Sequence, residues 1–287
     1  MTDIAVIGGA NIDIKAKASE PNRLGTSNPG VVSSTAGGVG RNIAHNLARL
    51  GSRVALISVV GNDAHGNAVL EETARAGVDV SRVTRSATNT GSYVAVLDHD
   101  GELITALNDM RCVEDITPAI IAANAETIRA AALVVADCNL PQATLNAIAA
   151  MAGEKLMIEP VSVPKSRKLV EVLKLSPVFL ASPNFDQIEF LSGTRDIEAA
   201  FAFMHGKGLR NVVIHAGAEG AFVSNGTGVD HVEAHPPQRI VDVTGAGDAA
   251  VAGLVFGLLQ GENLAVAAAR GQKLAGRVIA SAASTLE

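Results

Sequence analysis

Short apolar runs that alternate with helical patterns along most of the chain constrain its fold more than any other feature. The apolar runs are rich in β-branched residues, whereas the segments with helical spacing often end in Gly. We predict strands at IAVIG, VALISVVG, LVVAD, KLMIEPV, VFLAS and NVVIHA. We predict helices at GRNIAHNLARLG, GNAVLEETARAG, AIIAANAETIRAA, ATLNAIAAMAG and IEAAFAFMHGKG. This alternation indicates an α/β fold in which helices cover a mainly parallel sheet.

Two stretches interrupt the alternation. NIDIKAKA and VVSSTA flank a loop rich in Pro and Gly, and GSYVAVLDHDGELITAL has the pattern of two strands joined by a turn at 98–101. We predict that these segments, about 12–36 and 90–110, form a small β-sheet lid inserted into a single α/β domain that spans 1–287. The alternative is a pair of surface hairpins with no part in a site.

Composition and charge narrow the function classes. A chain of 287 residues with 48% hydrophobic and 18% charged residues is expected to be globular. The net charge is −6 and no run of Lys or Arg is present, which argues against a nucleic-acid partner. Two cysteines without C-x-x-C spacing argue against a disulfide scaffold or a zinc site. The longest apolar run, 249–259, is too short for a membrane span, so we expect a cytoplasmic protein.

A Gly-Ala-Gly-Asp segment precedes a long apolar run near the C-terminus. Gly245, Gly247 and Ala250 formally fit a dinucleotide fingerprint, but the segment is followed by helices instead of a second strand. The same glycines, with Ala246, suit an anion hole made by backbone N–H groups at a helix start. Asp248 would then lie beside the anion and accept a proton from an attacking hydroxyl. The simpler alternative is a tight turn followed by a favourable first-turn acid.

A matching set of polar residues lies near the N-terminus. Asn11 and Asp13 follow the first predicted strand, and Gly38 and Asn42 begin the next helix. Ligands of α/β sheets bind at the carboxyl ends of strands, so these residues are placed to converge on one polyol. Carboxylate and amide groups suit vicinal hydroxyls. Taken singly, Asp13 and Asn42 fit turn and cap roles equally well.

The segments from Gly37 to Gly61 and from Asp242 to Val255 resemble the two signatures of the ribokinase-like, or PfkB-type, carbohydrate and nucleoside kinases. The resemblance covers essentially the whole chain. It implies a three-layer αβα sandwich with a mainly parallel central sheet and a small β-sheet lid. It also implies phosphoryl transfer to a hydroxyl group from ATP, with Mg²⁺ and K⁺. Exposed strand edges in a lid favour a homodimer through strand pairing.

The resemblance assigns roles to individual residues. It makes Asp248 the catalytic base, with Gly245, Ala246 and Gly247 as the anion hole, and it makes Asp13, Gly38 and Asn42 the residues that hold the substrate's hydroxyls. The positions implied on the nucleotide side are Asn184, Gly217, Gly220 and Gln272.

The chain departs from the family pattern at two places. Gln187 stands where the family has Glu, so magnesium positioning would rely on Asp186, Glu189 or water. Val243 replaces the commoner Thr. Asp242, with the carbonyl of Thr244, resembles part of a monovalent-cation site.

Five segments, which include the predicted lid, look most like the pseudouridine kinase branch of this family: GGANIDIKAKA, GTSNPG, GGVGRNIAHNLARLG, VAVLDHDGEL and ALNDM. This resemblance implies phosphorylation of a nucleoside 5′-hydroxyl. With no Trp and one Tyr, stacking is not the main device for the base. We expect a polar base pocket built from Ser27, Asn28, Asn108 and Asp109, although such pairs also shape turns. The rivals are a kinase of ribose, another sugar or another nucleoside, and a non-catalytic sensor, which Gln187 favours. Two further residues are expected to lie outside the site, Lys165 as a solvated loop lysine and His45 as a partly exposed surface residue.

Overall fold

Strands and helices follow one another over nearly the whole chain. The structure, a computed structural model, describes residues 2–281 and 283–286. In chain order the strands are β1 (Ile4–Ile7), β2 (Asn11–Ala18), β3 (Gly30–Gly37), β4 (Val54–Gly61), β5 (Val83–Ser86), β6 (Gly91–Leu97), β7 (Leu103–Asp109), β8 (Leu133–Asp137), β9 (Leu156–Glu159), β10 (Val178–Ala181), β11 (Leu209–His215), β12 (Ala221–Ser224) and β13 (Val229–Val232). The helices are α1 (Val39–Arg49), α2 (Ala64–Arg75), α3 (Pro118–Ala123), α4 (Ala125–Ala130), α5 (Gln142–Ala152), α6 (Val163–Leu173), α7 (Phe185–Ser192), α8 (Ile197–Gly206), α9 (Ala246–Leu259) and α10 (Leu264–Ile279).

The larger sheet has the spatial order β13-β12-β11-β10-β9-β8-β1-β4-β5. Its strands run parallel from β11 to β5, and β12 and β13 are antiparallel additions. Every residue of β1 and β4 is buried, as expected for a sheet covered on both faces. Helices α1, α9 and α10 pack on one face, and α3 to α8 pack on the other. The predicted α/β sandwich of three layers is confirmed.

A smaller sheet has the order β3-β2-β6-β7, with β2 and β6 parallel and the outer pairs antiparallel. We call it the small sheet. Strands β6 and β7 lie within the lid segment predicted at 90–110, and β2 and β3 extend the segment predicted at 12–36 by one residue at each end. Its register aligns Asp13, Tyr93 and Asn108 in one row across three strands, so these side chains share a face. Helix α2 covers part of the opposite face, where Ile12 packs against Val69.

Two sequence-based assignments were wrong in detail. The segment predicted as one helix at AIIAANAETIRAA is divided into α3 and α4 at Asn124, whose side-chain Nδ2 donates to the carbonyl of Ile120 at 2.9 Å. The segment that contains Lys165 is not a loop. It forms the start of α6, with Pro164 in the first turn, where its missing N–H costs nothing.

His45 is buried instead of partly exposed, because the C-terminal segment packs over α1 and brings the carbonyl oxygen of Leu286 to 2.9 Å from Nε2. Burial lowers the pKa of His45 to about 4, so the ring is neutral at pH 7.

Within the described residues, none of the helices has both the length and the apolar character needed to cross a membrane.

Candidate active site

A cavity of about 300 Å³ lies between the small sheet and the carboxyl ends of β1, β8 and β9. We call it the first cavity. The position is the one expected for a ligand site in a parallel α/β sheet. It brings together seven residues singled out in the sequence, namely Asn11, Asp13, Gly38, Asn42, Asn108, Gly245 and Asp248.

Asp248 lies in the first turn of α9 and faces the first cavity. Its Oδ2 accepts a hydrogen bond from Asn42 Nδ2 at 2.9 Å. Burial raises the pKa of Asp248 to about 7, and the nearby carboxylates of Asp137 and Asp13 act in the same direction, while Asn42 opposes them. A carboxylate with a pKa near neutrality is suited to accept a proton at the pH of a cell.

Arg41 fixes the orientation of the Asn42 amide. The Arg41 guanidinium is fully buried, and its Nη1 donates to Asn42 Oδ1 at 3.2 Å. Arg41 is held in turn by Glu72 Oε1 at 2.8 Å and by Thr73 Oγ1 at 3.0 Å. With its oxygen occupied, the amide presents Nδ2 to Asp248. The sequence analysis missed Arg41, because a lone Arg in a helix gives no sign that it is buried.

Asp13 lies on the cavity face of β2. Its Oδ1 accepts a hydrogen bond from Asn11 Nδ2 at 2.7 Å. Burial raises the pKa of Asp13, although Asn11, Lys15 and Arg41 counteract the shift. Gly38, the residue after β3, has φ at 101°, and a Cβ there would lie 2.4 Å from the carbonyl oxygen of Gly9. Only glycine allows the chain to turn into α1 this close to the cavity.

Asp137 ties together three segments around the first cavity. Its Oδ2 accepts hydrogen bonds from the backbone N–H groups of Gly9 and Gly40, each at 2.9 Å, and its Oδ1 accepts one from Asn139 at 2.8 Å. Burial raises the pKa of this carboxyl. The sequence analysis missed Asp137, although its place at the end of the buried run LVVAD was a usable signal.

Lys165 lines the first cavity, contrary to the expectation of a solvated lysine. Its Nζ donates to Asn139 Oδ1 at 2.5 Å, which holds the ammonium at the cavity wall. The turn before α6 contains Val161, whose φ of 68° is unusual for a β-branched residue. Val161 also lines the cavity. Backbone strain beside a polar cluster is typical of a functional site.

Three residues predicted for a base pocket lie outside this cavity. Ser27 is exposed, and Asn28 shapes the loop before β3, where its Oδ1 accepts from the N–H of Arg23 at 2.9 Å. Asp109 pairs with Arg111 at 2.5 Å. The side chains of neighbouring strand residues point to opposite faces, so Asp109 faces away from the cavity that Asn108 lines.

A second cavity, of about 350 Å³, lies on the other side of the loop before α9. It brings together Gly217, Gly220, Gln272, Ala246 and Gly247, all of which were singled out in the sequence. Its walls are largely apolar, and they include Ile240, Val243, Ala275 and Ile279. Val243, which replaces the commoner Thr of the family pattern, therefore faces this cavity.

The N-terminus of α9 separates the two cavities. Gly245 and Asp248 line the first cavity, whereas Ala246 and Gly247 line the second. Gly245 has φ at 79°, and a Cβ on it would lie 2.0 Å from the carbonyl oxygen of Ser284. A Cβ on Gly247 would point into open space, where an anion has room to approach. The N–H of Ala246 donates to the carbonyl of Val243 at 3.3 Å, so the N–H groups that this turn leaves for an anion are those of Gly247 and Asp248. The helix dipole favours negative charge at the same place.

Asn184 lies at the edge of this arrangement. It is exposed at the start of α7, its backbone is bridged to His215, and His215 lines the second cavity. Gln187 is buried and closes a capping box with Asn184, a task that Gln and Glu perform equally well. The presence of Gln187 in place of the family's Glu is therefore explained by helix capping and is not evidence about a magnesium site.

Asp186 and Glu189 do not fit as substitutes that position magnesium. Both carboxylates bind Arg195, at 2.9 and 2.7 Å, and both are absent from the walls of the two cavities. Asp242, predicted as part of a monovalent-cation site, is paired with Lys15.

Comparisons with known proteins agree with this geometry. A family model described as pfkB family carbohydrate kinase matches residues 1–286. The chain is 37% identical over 258 residues to pseudouridine kinase of Escherichia coli strain K12, which covers 88% of this chain and 82% of that protein. It is 35% identical over 263 residues to an uncharacterized sugar kinase of the same strain, covering 89% and 72%.

Among solved structures, ribokinase of Arabidopsis thaliana complexed with ribose and ATP matches with a TM-score of 0.87 and 22% identity, covering 99% of this chain and 94% of that one. At this identity the likeness concerns the fold, which is ribokinase-like.

Proposed function

This chain belongs to the PfkB family of carbohydrate kinases, and we propose that it transfers the γ-phosphoryl group of ATP to the 5′-hydroxyl of a nucleoside, with pseudouridine as the preferred acceptor. Membership of the family makes the chain a phosphotransferase that acts on a hydroxyl group. The acceptor, the nucleotide and the roles of individual residues are the parts that we propose.

One observation carries the proposal, namely the two cavities that meet at the N-terminus of α9. A kinase must hold an acceptor and a nucleotide on either side of the phosphoryl group that passes between them. The turn at 245–248 places Asp248 in the wall of one cavity and Ala246 and Gly247 in the wall of the other. This division of roles is what transfer between two bound substrates requires.

In the proposed reaction, Asp248 accepts the proton of the acceptor hydroxyl while the hydroxyl oxygen attacks the γ-phosphorus in line. The bond from the γ-phosphorus to its bridging oxygen breaks, and ADP leaves with that oxygen. The N–H group of Gly247 donates to the transferring phosphoryl group and stabilises its charge, while Ala246, whose N–H donates to the carbonyl of Val243, forms the start of the helix beside it. Closure of the small sheet over the first cavity excludes water, which would otherwise compete as acceptor.

We assign the second cavity to ATP. Its apolar walls suit a purine ring, and the glycine at 217 has open space beside the backbone for the nucleotide. Gly220 is needed for another reason, because a Cβ there would lie 2.1 Å from the carbonyl oxygen of Val232. Gln272 supplies a hydrogen-bonding amide at the same wall, where its Nε2 lies 3.4 Å from His215 Nδ1. Mg²⁺ would arrive bound to the phosphates and neutralise part of their charge.

The pseudouridine acceptor rests on two kinds of support. The first is the similarity to pseudouridine kinase over most of both chains. The second is the polar row of Asp13, Tyr93 and Asn108, together with Lys165, which lines the same cavity. In our proposal Asp13 and Asn42 hold ribose hydroxyls, while Asn108 and Lys165 bind the carbonyl and imide groups of the base.

A sugar acceptor is the second candidate, because the similarity to a sugar kinase is nearly as high. A free pentose would bind Asn11, Asp13 and Asn42 and leave the wall at Asn108 and Lys165 unused. Gln187 was the residue that favoured a non-catalytic sensor. Because Gln187 caps helix α7, it no longer supports that alternative.

The proposal is tested by ATP turnover with pseudouridine, uridine and ribose as separate acceptors, followed by mass spectrometry of each product. We expect pseudouridine to be preferred and its monophosphate to stay sensitive to periodate, which cleaves the free 2′,3′-diol of a 5′-phosphate. Preference for ribose would contradict the nucleoside assignment and favour the sugar kinase. Acceptor binding in calorimetry without phosphate transfer would contradict the kinase and favour the sensor.

A further inference from the structure

An ion pair joins the small sheet to the loop before α9. Lys15 lies on the cavity face of β2, two residues beyond Asp13, and its Nζ binds Asp242 Oδ2. Both side chains are about one-third exposed or less, at 34% and 25%. Asp242 comes three residues before Gly245, so the pair connects the strand that carries Asp13 with the loop that leads into the anion hole.

The carboxylate of Asp242 is fully engaged in this arrangement. One oxygen binds the Lys15 ammonium, and the other accepts a hydrogen bond from the N–H of Thr244 at 2.8 Å. Burial alone would raise the pKa of Asp242, but the hydrogen bonds from Lys15 and Thr244 outweigh it and lower the pKa, so the group is charged at pH 7.

A monovalent metal ion at Asp242 therefore does not fit. K⁺ binds to oxygen atoms that replace its hydration shell, and here the outward oxygen of Asp242 already has a positively charged partner. An alkali ion that entered would be repelled by the ammonium at close range. The expectation of a cation site at Asp242 is not met by the residues present.

We propose that Lys15 is a positioning residue whose ammonium takes the place of a monovalent cation beside the anion-hole loop, so that phosphoryl transfer by this chain does not need K⁺. The inference rests on the proposed kinase reaction. The ammonium neutralises Asp242 and holds 242–244 in the conformation that aims the N–H groups of the α9 start at the phosphates. Because β2 carries both Asp13 and Lys15, closure of the small sheet on an acceptor also fixes this loop.

The test compares wild type with Lys15→Met, using Lys17→Met as the matched control. Lys17 lies on the same face of β2, two residues further along, and is exposed. ATP turnover is measured with tris-ATP in tetramethylammonium chloride and in KCl at equal ionic strength. Thermal unfolding in the same two salts gives a readout that does not depend on turnover.

We expect equal turnover of the wild type in both salts. In tetramethylammonium, Lys15→Met should lose about tenfold in turnover, less than the ~10²- to 10³-fold cost of removing a donor that contacts the developing charge. KCl should restore most of this turnover and raise the unfolding temperature of Lys15→Met alone. Lys15→Arg should behave as wild type, and Lys15→Gln repeats the test if the Met variant does not fold.

Two results would overturn the inference. One is a wild type that needs K⁺, and the other is a Lys15→Met variant whose turnover and unfolding temperature are unaffected by K⁺. Failure of the kinase proposal looks different, because the wild type would then transfer no phosphate to any acceptor in either salt. The K⁺ dependence of unfolding in Lys15→Met would still report whether the ammonium replaces a cation.

Discussion

At the scale of single residues, the environment of Asp248 is the feature with the clearest chemical consequence. A carboxylate is a weak base at its ordinary pKa, and burial among other acids makes it a stronger one. The hydrogen bond from Asn42 limits this effect and also fixes where the carboxylate points. Arg41 thus contacts Asp248 only through Asn42 and does not line the cavity itself.

The pKa of about 7 predicts how the reaction depends on pH. In the proposed reaction the deprotonated form of Asp248 is the base, so kcat/KM should rise with pH up to about 7 and level off above it. Asn42→Ala removes a hydrogen bond that lowers the pKa, so the midpoint of the profile should move to higher pH. The profile is measured at saturating ATP. A midpoint near 4, the ordinary value for Asp, would contradict the role given to burial.

The position of a residue at a cavity could be predicted from sequence where one short segment contains the whole pattern. The Gly-Ala-Gly-Asp turn is such a segment, and so is the pair of Asn11 and Asp13. Lys165 could not be placed in this way, because its position depends on the contact of α6 with Asn139, 26 residues earlier. The position of Asp109 could have been predicted from the sequence, because neighbouring residues of a strand point to opposite faces and Asp109 directly follows Asn108.

At the scale of elements, the small sheet has two unlike faces. One face carries Asp13, Lys15, Tyr93 and Asn108 toward the first cavity and the anion-hole loop. The register places Ile14, Val94 and Leu107 in one row of the other face, and Val32 and Val96 in the next. Helix α2 covers only the part near Ile12, so Val32 and Leu107 remain 69% and 73% exposed.

We propose that two copies of the chain associate through this uncovered apolar face and its edge strands, as a homodimer. Leu107→Asp introduces a charge on this face at the edge strand β7 and should shift the protein to a monomer in sedimentation at micromolar concentration. Leu175→Asp is the matched control, since Leu175 is also exposed but lies away from the small sheet. A wild type that is monomeric, or a Leu107→Asp variant that remains dimeric, would contradict this interface.

At the scale of the whole molecule, the fold brings segments from both ends of the chain to one place. Asn42 and Asp248 are 206 positions apart in sequence, yet Asn42 Nδ2 lies 2.9 Å from Asp248 Oδ2. The parallel sheet makes this possible, because the loops at the carboxyl ends of its strands all lie on the same edge. Helix α9 then divides the site into two cavities, one for each substrate of the proposed reaction.

The overall architecture was predictable, because alternating strand and helix patterns leave few ways to bury their apolar faces. The division into two cavities was predicted only as a set of residue roles, since cavity walls depend on how distant segments pack. The positions of Ser27 and Asn28 could not be predicted from the sequence. Their loop follows a predicted strand, but Asn28 forms hydrogen bonds with Arg23 in the same loop and both residues lie outside the cavity.

The most direct test of the central claim is the turnover of Asp248→Asn, with Asp230→Asn as the matched control on the exposed face of β13. Loss of the general base should lower kcat by ~10²- to 10⁴-fold, while ATP binding and the folded structure are retained. Asp230→Asn should match the wild type. Turnover of Asp248→Asn close to that of the wild type would contradict the assignment of Asp248 as the base at the boundary between the two cavities.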